Sequence, residues 1–596
     1  MEYTSATDMF HKRVEASSAS EAYRYKKDGA WKSFTWGDYG RQVRSLALSL
    51  LDLGLAKGDK VCIIANTRWE WEIADKAINL FGAITVGIYQ TLPADQVQYI
   101  LSHSDAKAVV AEDKVQFEKV LRSADACPEL VHVIAIEPEG CEGREVLLFS
   151  DLIARSEDRE NRLGSTLDAL SADVGPEDPA TYIYTSGTTG PPKGAILTHR
   201  NFLGEAGALA SNIEFTGDDI TLTWLPFSHI FQRACTATGT YSGKPTAFAE
   251  SIDKLLENLS EVRPTIFYSV PRIYEKAYAK ILDNAKSGGM LKEKIFLWSM
   301  AVGRRVSQHR QSKTPLPALL KLRYEIARRL VFGKINAVLG GRIRLAFSSG
   351  APISQEILEF FHAADILVLE AYGATELTAA VTLNLEHEYR FGTVGRPIGN
   401  MELLIAQDGE ILMRGDMVFA GYYKDQELTR EVLSQDGWYA TGDIGVIDPD
   451  GALRITDRKK DIIVTSGGKN VAPQNIENLL KENTFISQAM VHGDKRNYLT
   501  CLVTLDPEYL VPWAEKEGLS TADWNALCAE PGVRGLIQGE VDKANATLAK
   551  FETIKKFAIV PDEFTIDGGE LTPTLKVKRK VVTEKYRPLL DSMYEE

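Results

Sequence analysis

Residues Tyr182 to Gly194, YIYTSGTTGPPKG, carry an apolar lead into a run of glycine, serine and threonine that closes on Lys193. Residue types in this order suit a polyphosphate. Gly187 and Gly190 let the backbone approach closely, the hydroxyls of Ser186, Thr188 and Thr189 supply donors, and Lys193 adds a cation. A Walker A loop needs Gly-Lys followed by Ser or Thr. Here Lys193 stands between Pro192 and Gly194, so an ordinary kinase or NTPase assignment fails. A solvated turn between two strands is the competing reading, and the length of the string weighs against it.

Five further segments follow in order: SSGAP (Ser348 to Pro352), YGATE (Tyr372 to Glu376), TGD (Thr441 to Asp443), DRKKDIIVTSGGKN (Asp457 to Asn470) and ELTPTLKVKR (Glu570 to Arg579). With the TSGTTGPPKG run, they make the chain resemble the adenylate-forming superfamily of acyl-CoA synthetases, peptide-synthetase adenylation domains and firefly luciferase. Within it, LPFSHIFQR (Leu225 to Arg233), VPRIYEK (Val270 to Lys276) and GELTPTLKVKR from Gly569 look like the long-chain acyl-CoA synthetases.

The resemblance implies an α/β fold. Its parts would be a large N-terminal domain of α/β sheets with a distorted β-barrel, residues 1–456, and a small mobile α+β lid, residues 457–596. It also implies that ATP activates a long-chain fatty acid as acyl-AMP and that CoA then takes the acyl group, with Mg2+ as cofactor. A fatty acyl-AMP or acyl-carrier-protein ligase, and a silent acyl- or nucleotide-binding scaffold, are the alternatives. The scaffold is disfavoured because Lys193, Glu376, Asp443, Arg458 and Lys576 are all present.

Roles transfer position by position as what the resemblance implies. Thr185 to Gly190 and Lys193 would cradle the triphosphate. Gly350, Ala351 and Pro352, with Tyr372, Gly373, Ala374 and Thr375, would form the adenine slot, and Asp443 would accept from the ribose hydroxyls. Thr185 and Glu376 would hold the magnesium, a hard cation that takes oxygen ligands. Arg458 would contact the nucleotide at the hinge. Lys576 would bridge two anions as the carboxylate attacks the α-phosphate, with Thr188 and Glu376 as its catalytic company. Its neighbours Lys578 and Lys580 leave open that all three are solvated charges. His229 and Phe227 would line the acyl site, and Ser466, Gly467, Gly468 and Lys469 the CoA passage. A buried structural histidine, and a tight turn, are the plainer readings of His229 and the serine-glycine loop.

Positioning such groups takes several elements. Short β-branched clusters at Val61 to Ile64, Ala108 to Val110, Val131 to Ile134 and Ile366 to Leu369 predict buried strands. Helical spacing between them, as in Tyr39 to Leu53 and Trp71 to Phe81, predicts a layered α/β arrangement. After about Gly409 the alternation shortens and becomes β-rich, and the polar run Thr456 to Asp461 marks a boundary. Between Lys276 and Arg344 lie 16 Lys or Arg against three acids, in a chain of net charge −14. Pro315 and Pro317 break this stretch, which predicts a helical insertion.

The 596 residues exceed one core, and 44% apolar with 25% charged residues is ordinary for a globular chain. Six scattered cysteines give no metal or disulfide pattern. The segment Ala77 to Tyr89 falls short of the roughly 18 apolar residues of a span, and MEYTSATDMFHKR lacks a signal-peptide pattern. The expectation is a cytoplasmic protein, with peripheral contact at the inner membrane face where the basic insertion meets anionic lipid. Fatty acid, ATP and CoA are the expected partners, nucleic acid is not expected, and a homodimer is left open.

Overall fold

The computed structural model describes residues 3–142, 145–185, 191–566, 568–572 and 576–595. Two large sheets fill the first three quarters of the chain. One has eight strands, in the order Gly421–Tyr422, Lys193–Thr198, Pro179–Thr185, Ile84–Ile88, Lys60–Ile64, Ala106–Ala111, His132–Ala135 and Leu147–Leu148. Its middle is parallel, and Val61, Cys62, Ile63 and Ile64 are wholly buried, as a strand covered on both faces requires. The hairpin Pro179–Thr185 and Lys193–Thr198 is antiparallel, with Thr185 opposite Lys193.

The other sheet has nine strands. Its parallel members Thr221–Thr223, Ile266–Ser269, Leu345–Ser348 and Leu367–Tyr372 lie side by side. Helices His199–Asn212 and Ile230–Ser242 pack on each other and contribute to the core shared with this sheet. The first opens with a reciprocal cap between Thr198 and Asn201, which satisfies two otherwise orphaned amides.

The basic stretch is helical: Pro271–Ser287, Met290–Gln311 and Ala318–Ala327, the last continuing through the π-turn Arg328–Phe332 into Gly333–Val338. Pro315 and Pro317 fall in the break between Gln311 and Ala318, as predicted, and Pro317 stands at the N-cap, where a missing N–H costs no helical hydrogen bond. Strands Glu402–Ile405, Glu410–Arg414, Tyr439–Ile447 and Leu453–Arg458 form a four-stranded antiparallel sheet, the β-rich part anticipated after Gly409. A separate core of Ile463, Val471, Ile476, Leu499 and Val503 then begins, around a three-stranded sheet of Ile486–His492, Leu499–Leu505 and Ile554–Val560.

In both large sheets the working loops leave the carboxyl ends of strands, where open α/β sheets present ligand crevices. Leu345–Ser348 and Leu367–Tyr372 are neighbours in register, Ser348 beside Glu370, so the loops of SSGAP and YGATE emerge together.

Candidate active site

Tyr372 closes its strand with the ring 7% exposed and donates its hydroxyl to Asp443 Oδ2 at 2.7 Å. Asp443 lies on Tyr439–Ile447, directly across from Arg458 on Leu453–Arg458, and Arg458 Nε stands 3.2 Å from its Oδ1. The turn before it is pinned. Thr441 donates to the Ile411 carbonyl and accepts from the Asp443 amide, while the Gly442 amide donates to Glu410, which also pairs with Lys459. A carboxylate held on two sides this way presents a fixed edge to a diol.

The loop after Tyr372 requires Gly373, because a Cβ there would lie 1.3 Å from the Ala379 carbonyl oxygen. That approach comes from Thr378 and Ala379, both at positive φ (52° and 78°), a conformation costly for residues with a Cβ. Strain of this kind persists where packing over-determines it, and here Thr378 Oγ1 is anchored to the Met417 carbonyl at 2.7 Å. Ala374 and Thr375 form the adjoining short turn. Gly350, at φ 86°, Ala351 and Pro352 are exposed on the neighbouring loop, open to a flat base.

Glu376 accepts the Tyr422 hydroxyl at 2.7 Å, and the Lys193 ammonium stands 5.7 Å from the centroid of the same Tyr422 ring. Tyr422 therefore ties the YGATE acid to the lysine that ends the glycine-rich run. Thr185 faces Lys193 across the hairpin. Ser186, Gly187, Thr188, Thr189 and Gly190 lie outside the described residues.

His229 caps Ile230–Ser242, its Nδ1 accepting the Phe231 amide at 3.1 Å. Burial, and then the charge of Lys576, push its pKa down to about 4, so the ring is neutral and offers Nε2–H as a donor. Lys576 keeps accessible surface, yet its ammonium is ringed by protein. Burial and the Arg458 charge bring it down to about 8, against the pull of Asp443. Thus Lys576, from the small domain, reaches the group formed by His229, Asp443 and Arg458. Its backbone is held by reciprocal bonds with Thr572, the amide donating to Thr572 Oγ1 at 3.0 Å.

Two sequence-predicted groups stand apart from this cluster. Phe227 is 1% exposed and stacks on Trp71 at 4.9 Å in the core of the first sheet, whereas His229 is tied through its ring to the Phe231 backbone amide. Ser466, Gly467, Gly468 and Lys469 form a turn whose described hydrogen bonds stay within the small domain. Ser466 donates to Asn497, and the Lys469 ammonium faces Phe551. Sequence reading missed Tyr422 and Glu410. GYYKD (Gly421 to Asp425) has no chemistry visible by type alone, and Glu410 acts only through the turn it fastens.

Among the described residues, a carboxylate clamped by Tyr372 and Arg458 and a lysine brought up beside it from the C-terminal part of the chain make an arrangement that fits adenylate chemistry. A family model described as AMP-binding enzyme matches residues 10–423, and one described as AMP-binding enzyme C-terminal domain matches residues 460–596. The chain belongs to the AMP-binding enzyme family. Long-chain-fatty-acid–CoA ligase FadD15 of Mycobacterium bovis is 38% identical over 585 residues, covering 96% of this chain and 94% of that protein. The peroxisomal long chain acyl-CoA synthetase 6 of Arabidopsis thaliana is 33% identical, covering 95% and 82%. In fold, the chain resembles the adenylation domain of a carboxylate reductase from Mycobacterium chelonae, with TM-score 0.75, 21% identity and coverage of 99% and 91%.

Proposed function

We propose that this chain is an AMP-forming long-chain fatty acid:CoA ligase, acting by adenylation and then thioester formation. The observation that carries the proposal is the meeting of Lys576 with His229, Asp443 and Arg458. The full-length similarity to proteins named as long-chain fatty acid ligases supplies the substrate class.

In the first step a fatty carboxylate oxygen attacks the α-phosphorus of ATP, and the bond to the pyrophosphate oxygen breaks. Asp443 holds the ribose hydroxyls, Tyr372 and Arg458 keep that carboxylate in place, and Lys193 neutralises phosphate oxygens. Lys576 sits between the two anions, so charge that builds on the phosphorus oxygens meets a cation already in place. Neutral His229 donates near the acyl carbonyl without adding charge. Glu376 and Thr185 offer the carboxylate and hydroxyl oxygens that suit Mg2+, which when bound would offset charge on the phosphates.

In the second step the small domain turns about Asp457 and Arg458, withdrawing Lys576 and carrying Ser466 to Lys469 toward the anhydride, where the CoA sulfur displaces AMP. The exposed position of that turn here suits the first step. Among the described residues no helix is long and apolar enough to cross a membrane. The basic insertion is the part we read as meeting anionic lipid, from which a poorly soluble acid would enter.

Pyrophosphate release is measured across saturated acids of increasing length, with and without CoA. A maximum at long chains and turnover dependent on CoA are expected. Stoichiometric release without CoA dependence would point to an acyl-AMP or carrier-protein ligase, and cleavage between the β and γ phosphorus would end the reading.

A further inference from the structure

Half of the large apolar side chains that stand exposed among the described residues fall between Met290 and Val338. They are not scattered. Helix Ala318–Ala327 and its π-turn bury Leu320, Tyr324, Ala327 and Phe332 against the core, as an amphipathic helix should. The same rod carries a second apolar line on its outside: Leu319 and Leu322 are each 61% exposed, Ile326 and Leu330 each 45%. Spacings of three, four and four keep these four on one face.

The exposed charges of this rod are nearly all of one sign. Lys321, Arg323, Arg329 and Lys334 are exposed and form no ion pair among the described residues; only Arg328 has a partner, Glu325. In a chain of net charge −14, unpaired cations gathered around exposed leucines are not a general feature of the surface. A protein partner would leave these cations to find acids one by one. An anionic lipid surface satisfies both at once, taking apolar side chains below the headgroups and cations at them.

We infer that the outer face of Ala318–Phe332 docks this protein on anionic bilayers, with Leu319, Leu322, Ile326 and Leu330 inserted and Lys321, Arg323, Arg329 and Lys334 at the headgroups. This deepens the ligase reading by naming the surface from which substrate enters, and depends on that reading only for what the lipid supplies. The docking itself is testable without it.

The full chain is sedimented with phosphatidylcholine vesicles containing or lacking phosphatidylglycerol, at low and high salt, alongside the variants Leu322→Glu/Ile326→Glu and Arg323→Gln/Arg329→Gln. Wild type should sediment with the anionic vesicles and be released by salt. The leucine-isoleucine variant should lose at least tenfold in binding under all conditions, and the arginine variant should lose mainly the salt-sensitive part. Pyrophosphate release from detergent-solubilised palmitate checks that both variants are folded and should match wild type, while release from vesicle-borne palmitate should fall. Wild type that ignores phosphatidylglycerol, or variants that sediment as it does, would overturn the docking. So would light scattering in which wild type is a dimer and Leu322→Glu/Ile326→Glu a monomer, since a second copy would then cover the line. Vesicle binding with no pyrophosphate released from any acid would uphold docking and reject the ligase.

Discussion

Asp443 and Arg458 face each other across adjacent antiparallel strands, and the guanidinium closes on the carboxylate at 3.2 Å. The strand register therefore couples the proposed ribose anchor to the proposed hinge, where the small domain begins. Arg458 also lowers the pKa of Lys576, so it speaks to both halves of the site. Arg458→Ala should weaken ATP binding about tenfold, for loss of one charge-assisted contact of about 1.5 kcal/mol. It should also raise the alkaline limb of the adenylation rate, because a repelling charge is gone. Nucleotide titration and a pH profile of kcat/KM check the two effects separately.

Tyr372→Phe tests the other side of the clamp. The hydroxyl to Asp443 is lost while the buried ring stays, so folding should be almost unaffected. A hydrogen bond to an ionised group is worth about 1.5–3 kcal/mol, and KM for ATP should rise about tenfold or more with little change in kcat. An unchanged KM would mean that Asp443 needs no help from Tyr372.

In the proposed mechanism Lys576 serves the first half-reaction and not the second. Lys576→Ala should abolish adenylation yet leave thioester formation from supplied acyl-AMP, and equal loss of both would reject that division. In the wild-type enzyme the free site loses its cation as pH rises through about 8. The kcat/KM of adenylation should therefore fall on the alkaline side with an apparent pKa near that value. In kcat the limb should lie higher, since bound phosphate favours the charged amine.

Gly373→Ala reports on the close approach of two backbones. The new methyl would collide with the Ala379 carbonyl, a backbone atom that cannot swing away as a side chain can. Expected are a loss of nucleotide binding and about 2–4 kcal/mol of stability, read by thermal unfolding and ATP titration.

What could be read from the residues alone follows a physical line. Buried strands such as Val61 to Ile64 announce themselves because a parallel strand covered on both faces must be apolar throughout. The helical insertion was legible because its residues favour helix and its prolines cluster at the break, although the π-turn Arg328–Phe332 inside it was not. Asp443 and Lys576 were named through the resemblance of the TGD and ELTPTLKVKR strings to a family, and the fold brings the two side chains near each other. The acyl-site assignment of Phe227 was not legible in this way, since an aromatic residue beside a histidine gives no sign of which face it turns to, and here it turns to Trp71. Tyr422 and Glu410 stayed hidden because they act across 46 and 32 residues of chain, through hydrogen bonds that only the fold creates. The outer apolar line of the insertion was hidden too. Composition reported its charge, but only exposure separates a leucine that packs from one that does not.

Asp457 offers a test of the domain swing itself. Its Oδ1 accepts the Arg458 amide at 2.6 Å, while Oδ2 is buried without a hydrogen-bond partner among the described residues. Burial pushes the carboxyl up to about 6, opposed by the Arg458 amide and the Arg579 charge. A carboxyl whose pKa is raised in one arrangement favours that arrangement while protonated. That contribution is complete below the ordinary value of about 3.9 and is lost as pH rises through about 6. At neutral pH the buried carboxylate therefore works against the arrangement in which Lys576 faces the nucleotide, and helps to release the small domain after adenylation. Asp457→Asn keeps the shape and removes the charge. Single-turnover measurements should show thioester formation slowed several-fold and adenylation intact. Fluorescence transfer between dyes on the two domains should show a closed fraction that falls between pH 5 and 7 in wild type and stays level in the variant. A closed fraction with the same pH course in both proteins would remove Asp457 from the hinge mechanism.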